Sequence, residues 1–278
     1  MGHLGRGRED ALGWHSIETN IYRYSISVNE LIIPGRLIED HLTQYCTSLG
    51  VWSGNENYPI YIPGSATLIR YKGRYFMICT RHQLKGTPNF EKVCLLLPYG
   101  EGQTQCITSG GVRWFDKIND GDDKEVVVFD FTEPCREIPE LKRLFFDFRG
   151  QHQSILASKI VAFITFGYVT SLANFDYGNG KIEQVKARVL SSFAAPGFDD
   201  ALHIIAPISP LEFDPDGMSG GPTFCVVQDR PGEFSAHFAG VTVRGSPTTL
   251  MLIKAGAVQA VLNTVIKDRL PNVATDGV

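Results

Sequence analysis

No stretch of this sequence concentrates lysine and arginine, and the formal net charge is −4 at pH 7. Nucleic-acid binding rests on a basic patch or stripe, so a nucleic-acid partner is not expected. Long hydrophobic runs are also missing. The longest, such as Ile160–Phe166, have the length of a strand, well short of the roughly 18 apolar residues that mark a membrane helix. The first residues, Met1 to Tyr24, are mixed and charged, without the apolar core of a secretory signal. The expectation is therefore a cytoplasmic protein without a membrane partner. No Cys-x-x-Cys pair occurs among the six cysteines (Cys46, Cys79, Cys94, Cys106, Cys135 and Cys225), which argues against a zinc site. Cys79, Cys94 and Cys225 sit inside apolar runs, and these thiols read as buried and free rather than as a disulfide framework.

What is present is an ordinary globular composition, 43% hydrophobic and 20% charged, over 278 residues. That length suits two small domains sharing one interface. Residues 1–55 read as a leader with one amphipathic helix over Arg36–Tyr45, where Leu37, Ile38, Leu42 and Tyr45 fall near helical spacing. Strand-like runs follow at Ser65–Tyr71 and Arg74–Thr80, with Lys72-Gly73 as a hairpin turn between them. Further runs are Lys92–Leu97, Gly111–Phe115 and Glu125–Phe131. Arg149 to Gln153 reads as a linker. A second series begins at Lys159–Phe166 and continues through Gln184–Ser191, Ala201–Ala206, Gly221–Val227, Ala236–Val243 and Thr249–Lys254. The apolar residues Val258, Val261, Leu262, Val265 and Ile266 then predict a closing helix over Gly256–Leu270. Many short strands broken by Gly and Pro point to an all-β barrel or sandwich class. The domain reading is a leader (1–55), a first strand domain (56–150), a second with the closing helix (151–270) and a frayed tail (271–278).

The sequence Asp216-Gly217-Met218-Ser219-Gly220-Gly221-Pro222 carries the clearest chemical signal. A nucleophilic serine needs a tight turn that exposes its hydroxyl, and glycines permit both the turn and a close substrate. The backbone amides of Gly217 and Ser219 are candidate donors to a developing oxyanion. One such donor is worth about 2.7–4 kcal/mol. Serine needs a base to react at neutral pH, and His82 closes the strand-like run Tyr75–Thr80. His3, His15, His41 and His152 lie in polar stretches and read as solvated. His203 and His237 read as core groups. The base wants an acid to fix its tautomer. Asp122-Asp123-Lys124-Glu125 opens the apolar run Val126–Phe129, and burying a carboxylate is costly unless it is paired. Glu125 is the first choice, Asp123 the alternative, and Asp122 and Asp130 are weaker candidates.

Thr80-Arg81-His82, then an acid opening a Val-rich strand, then Gly217-Met218-Ser219-Gly220-Gly221-Pro222 resemble the three marks of trypsin/chymotrypsin-like serine peptidases, in the order His, acid, Ser. Gly64–Ile69 and Gly240–Gly245 add to the likeness, which covers residues 60–255. The resemblance implies two six-stranded antiparallel β-barrels, flanked here by the helical leader and the C-terminal helix, with the active site between the barrels. It implies an endopeptidase acting on protein or peptide substrates through an acyl-enzyme, without cofactor or metal. Phe213, Thr242, Val243 and Arg244, with Leu211, would line the substrate pocket. Four departures stand out: Glu125 where the family usually has Asp, Met218 where secreted members carry an activating Asp, Gln83 where a Cys often follows the His, and the extra leader and helix. A peptidase lacking that activation switch calls for another restraint, such as the leader or a regulatory protein partner. The alternative is an inactive double barrel that acts as a binding module.

Overall fold

The computed structural model describes residues 21–85, 90–99, 103–113, 125–150, 159–176, 181–196 and 201–267. The predicted linker past Gly150, the tail after Pro271, Asp122, Asp123, His3, His15 and His152 lie outside the described residues. In the first half of the chain the strands are β1 (Ser25–Val28), β2 (Leu31–Pro34), β3 (Cys46–Trp52), β4 (Ile60–Tyr71), β5 (Arg74–Thr80), β6 (Val93–Tyr99), β7 (Gln103–Thr108), β8 (Gly111–Arg113), β9 (Val126–Asp130) and β10 (Phe146–Asp147). The second half holds β11 (Lys159–Tyr168), β12 (Asn174–Asp176), β13 (Lys181–Glu183), β14 (Lys186–Pro196), β15 (Leu202–Pro207), β16 (Pro222–Arg230), β17 (Glu233–Ser246) and β18 (Thr249–Lys254). Among the described residues the α-helices α1 (Ile38–Thr43), α2 (Thr132–Glu137) and α3 (Ala255–Lys267) accompany them.

The fold is mostly β, as the turn-rich sequence implies. One sheet runs β7-β6-β3-β4-β5-β9-β8, with β10 alongside β4. In the other, β16-β11-β14-β15-β18-β17 are paired in order, and β17 pairs back to β16, so six antiparallel strands form a ring. β1 joins this ring in parallel through Ile26↔Phe234, and β2 pairs with β1. β12 and β13 form a separate hairpin.

Local chemistry explains the hairpin that leads to His82. Lys72 and Gly73 both take positive φ, 48° and 76°, the conformation a tight two-residue turn requires. β4 and β5 pair across it from Tyr71↔Arg74 to Thr67↔Ile78. The central strands are apolar on both faces because two cores compete for them. Phe76 and Ile78 of β5, with Val126 and Val128 of β9, face the large core shared with the ring. Met77, Cys79, Val127 and Phe129 face a second core on the other side of the same sheet. β16 follows the same rule, with Phe224 and Val226 in the shared core and Cys225 in a third. Cys46 and Cys225 are buried free thiols, and burial pushes both up to about 12. Cys79, Cys94 and Cys135 are buried too, and Cys106 is half-buried.

The N-terminal segment differs from the reading of a separate leader. The predicted helix is a single 3₁₀ turn, Gly35–Leu37, followed by the six residues of α1. Tyr45 already turns into the shared core. β3 then lies in the interior of the first sheet between β4 and β6, while β1 belongs to the ring. Burial on both faces hid β3, whose first six residues are buried without alternation. The half-buried ammonium of Lys186 on β14 clamps this corner by donating to the Thr43 and Cys46 carbonyls at 3.0 and 2.7 Å. The closing helix forms nearly as predicted, with Val258, Val261, Leu262 and Val265 turned into the shared core.

Two outcomes follow from this packing. A chain beginning at residue 56 lacks β1–β3 and is expected not to give a cooperative unfolding transition, read by circular dichroism against the full chain. Phe224 lies 5.1 Å from Phe146 and 6.1 Å from Phe238, ring centre to ring centre, where the two sheets meet. Phe224→Ala is expected to cost about 3–5 kcal/mol of stability in a urea titration.

Candidate functional site

His82 lies in the 3₁₀ turn Arg81–Leu84, just past the end of β5. Thr80 and Gln83 brace this turn as a capping box. Across from it, β9 pairs with β5 through Thr80↔Val126. Glu125, the residue before β9, therefore arrives beside the turn. Its Oε2 lies 2.7 Å from His82 Nδ1 and accepts the His82 backbone N–H at 3.3 Å. The hydrogen bond with His82 lowers the Glu125 carboxyl from its ordinary value, against partial burial that raises it, and the positive charge of Arg244 adds to the lowering. Both side chains are partly exposed, His82 at 34% and Glu125 at 25%, so the pair can be reached from solvent.

Asp130, the weaker candidate acid, is committed elsewhere. It is buried, pairs with Arg74 and accepts the Thr132 N–H at 2.9 Å. Among the other histidines, His41 lies in a polar stretch that implies solvation, but it packs half-buried, edge-on to Tyr45. His237 lies 2.8 Å from Ser235 Oγ.

The Ser219 loop crosses from the ring to the first sheet. Its carbonyls are taken in succession: Asp216 O by Thr170 N, Gly217 O by Ser65 Oγ, Met218 O by Gly221 N, Ser219 O by both Ser65 N and Gln83 Nε2, and Gly220 O by Thr67 Oγ1. In a trans peptide the N–H points opposite to the C=O. With the Asp216 and Met218 carbonyls turned inward, the N–H groups of Gly217 and Ser219 point away from the scaffold. Neither finds an acceptor among the described residues. Gly217 takes φ +90° and Gly220 φ +84°. A Cβ at Gly220 would run into the Ser65 carbonyl.

The Ser219 side chain is partly exposed, and its hydroxyl donates to Val243 O at 3.0 Å. His82 Nε2 lies 3.4 Å from Thr80 Oγ1. The histidine segment and the serine loop are thus in contact through Gln83, while the imidazole and the hydroxyl each rest on another partner. Of the expected pocket residues, Thr242 is buried and lies 3.3 Å from Thr223 Oγ1, and the Val243 side chain is in the core. Phe213 packs partly buried on the ring's other core, and Leu211 N donates to Pro247 O. Arg244 is exposed, and its charge acts on Glu125. The sequence marks Gln83 only as a departure and Ser65 and Thr67 only within the Gly64–Ile69 likeness, and it does not reveal what they do. Their roles are hydrogen bonds to another segment's backbone, which leave no mark on the sequence.

No protein-family model matches the chain, and no curated protein is similar to it in sequence.

A carboxyl held below its unfolded value stabilises the fold above that value, and the gain is lost as pH falls through the folded one. Glu125 is of this kind, with an ordinary value of 4.5. The stability advantage of the native chain over Glu125→Gln is therefore expected to shrink as pH falls below about 4.5, measured by urea denaturation at a series of pH values.

Proposed function

We propose that the chain is a serine endopeptidase of the trypsin/chymotrypsin type, the six-stranded ring and the larger first sheet standing in for the two barrels of that family. One observation carries this reading. The imidazole of His82 is held at 2.7 Å by Glu125, and the next residue, Gln83, holds the carbonyl of Ser219 at 2.8 Å. Base and nucleophile come from distant parts of the chain and share one anchorage.

In this mechanism the Ser219 hydroxyl turns from Val243 O towards His82 Nε2. Its oxygen attacks the peptide carbonyl carbon while its proton passes to Nε2. The carbonyl oxygen becomes an anion facing the amides of Gly217 and Ser219. The imidazolium, held by Glu125, gives its proton to the leaving amine, and an acyl-enzyme remains. Water, activated by His82, then releases the acid and restores the hydroxyl. No cofactor takes part in these steps.

The bond from the Ser219 hydroxyl to Val243 O favours a second reading, a double barrel that binds a protein partner without cutting it. A fluorophosphonate probe separates the two. The peptidase is expected to take up one label, Ser219→Ala none, and Glu125→Gln to react slower by up to about 10⁴-fold through the wrong tautomer. A folded native chain that takes no label supports the binding module and sinks the peptidase.

A further inference from the structure

We propose that Gln83 is a positioning residue that sets the orientation of the nucleophile's peptide from the segment carrying the base, a role that rests on the peptidase reading. The side chain is buried, and its amide is fully used. Oε1 accepts Thr80 N–H and Thr80 Oγ–H, each at 2.8 Å. Nε2 donates to Ser65 O at 3.1 Å and to Ser219 O at 2.8 Å. Two acceptor sites and two hydrogens are all that an amide offers. The network also fixes which end is which, since a flipped amide would set its oxygen against two carbonyl oxygens.

The surroundings are shaped to this group. A Cβ at Gly64 would strike Gln83 Nε2, and one at Gly220 would lie 2.8 Å from Oε1. Both positions are glycine with positive φ, so the backbone on each side leaves room for the amide. The consequence runs along the chain. The Ser219 carbonyl shares a peptide with the N–H of Gly220, which donates to Thr242 O at 2.7 Å. Gln83 at one end and Thr242 at the other fix this peptide's plane, and with it the direction in which Ser219 presents its side chain. Gln83 therefore acts on the reacting groups through the backbone without touching substrate.

Gln83→Glu is the selective test. The introduced carboxylate keeps both acceptor roles towards Thr80 and loses both donations to Ser65 O and Ser219 O. With native-like circular dichroism, its fluorophosphonate labelling rate is expected to fall by about 10- to 100-fold, the scale of a small misplacement. KM for a small ester should stay within about twofold, because substrate contacts are untouched. The ratio of variant to native labelling should rise as pH falls, since protonation of the introduced carboxylate restores one O–H donor aimed at Ser219 O. A purely structural role gives no such pH-dependent ratio. A folded variant that labels within about twofold of native at every pH overturns the proposal and leaves the peptidase reading intact. A native chain that takes no label overturns both. If Gln83→Glu does not fold, the apolar isostere Gln83→Met reads the same rate. If neither folds, Gln83 is a structural prop and the positioning role is overturned.

Discussion

A backbone carbonyl packed against the fold must find a donor, and in the loop from Asp216 to Gly220 five in succession do so. The protein meets this constraint mostly from outside the loop. Ser65 and Thr67 of β4, Gln83 of the turn after β5 and Thr170 just past β11 supply the donors, with only Met218 O satisfied locally by Gly221 N. Each unmade bond of this kind costs about 1–3 kcal/mol, so the loop's conformation is set by the approach of the two sheets. That approach depends on the shared core, where β5 and β9 meet β11, β16 and α3. Ser65 shows how tightly the two halves are joined. Its hydroxyl accepts Tyr168 N–H from the end of β11 and donates to Gly217 O, both at 2.7 Å, so one fully buried side chain of the first sheet links two segments of the second half.

The same geometry accounts for a glutamate beside His82. With Thr80 paired to Val126, residue 125 stands opposite residue 81 rather than 82. An acid there has to reach diagonally to an imidazole on the neighbouring position. Glutamate spans that offset and still accepts the His82 backbone N–H. Aspartate is one methylene shorter. Asp130 at the other end of β9 is at the wrong end of the strand and is engaged by Arg74 and Thr132.

Much of this was legible in the sequence where the cause is local. The Lys72-Gly73 turn, the runs that became β5, β9 and β18, and the amphipathic α3 follow from φ preferences and periodicity within a few residues. Glu125 could be chosen over Asp130 because it stands at the margin of an apolar run. What escaped was determined across the fold. β3 carries no alternation because both its faces are covered, and β10 is two residues long and visible only through its partner Ile69 and Arg70 on β4. Ser65, Thr67 and Gln83 act through backbone atoms of another segment, so nothing in their own neighbourhood reveals that role. Thr242 and Val243 read as pocket residues by resemblance, yet their side chains turn into the core, leaving the Val243 carbonyl as the group that meets Ser219.

Binding strength is divided unequally within this site. The backbone of the Ser219 loop is fixed by a run of hydrogen bonds that must all break for it to move, while the hydroxyl itself has one, to Val243 O. A neutral hydrogen bond of that kind contributes about 0.5–1.5 kcal/mol net. The imidazole is likewise held at Nδ1 by Glu125, whereas among the described residues Nε2 has only the long 3.4 Å approach to Thr80 Oγ1. Under the peptidase reading, the two atoms that exchange a proton are therefore the least restrained in the constellation, and everything that orients them is among the most restrained. On that reading, turning the hydroxyl from one acceptor to the other would cost little beside the barrier to peptide hydrolysis, because amides at Gly217 and Ser219 that already lack an acceptor among the described residues would not need to reorganise. A loop that left those amides free to rotate would gain nothing from a well-placed hydroxyl.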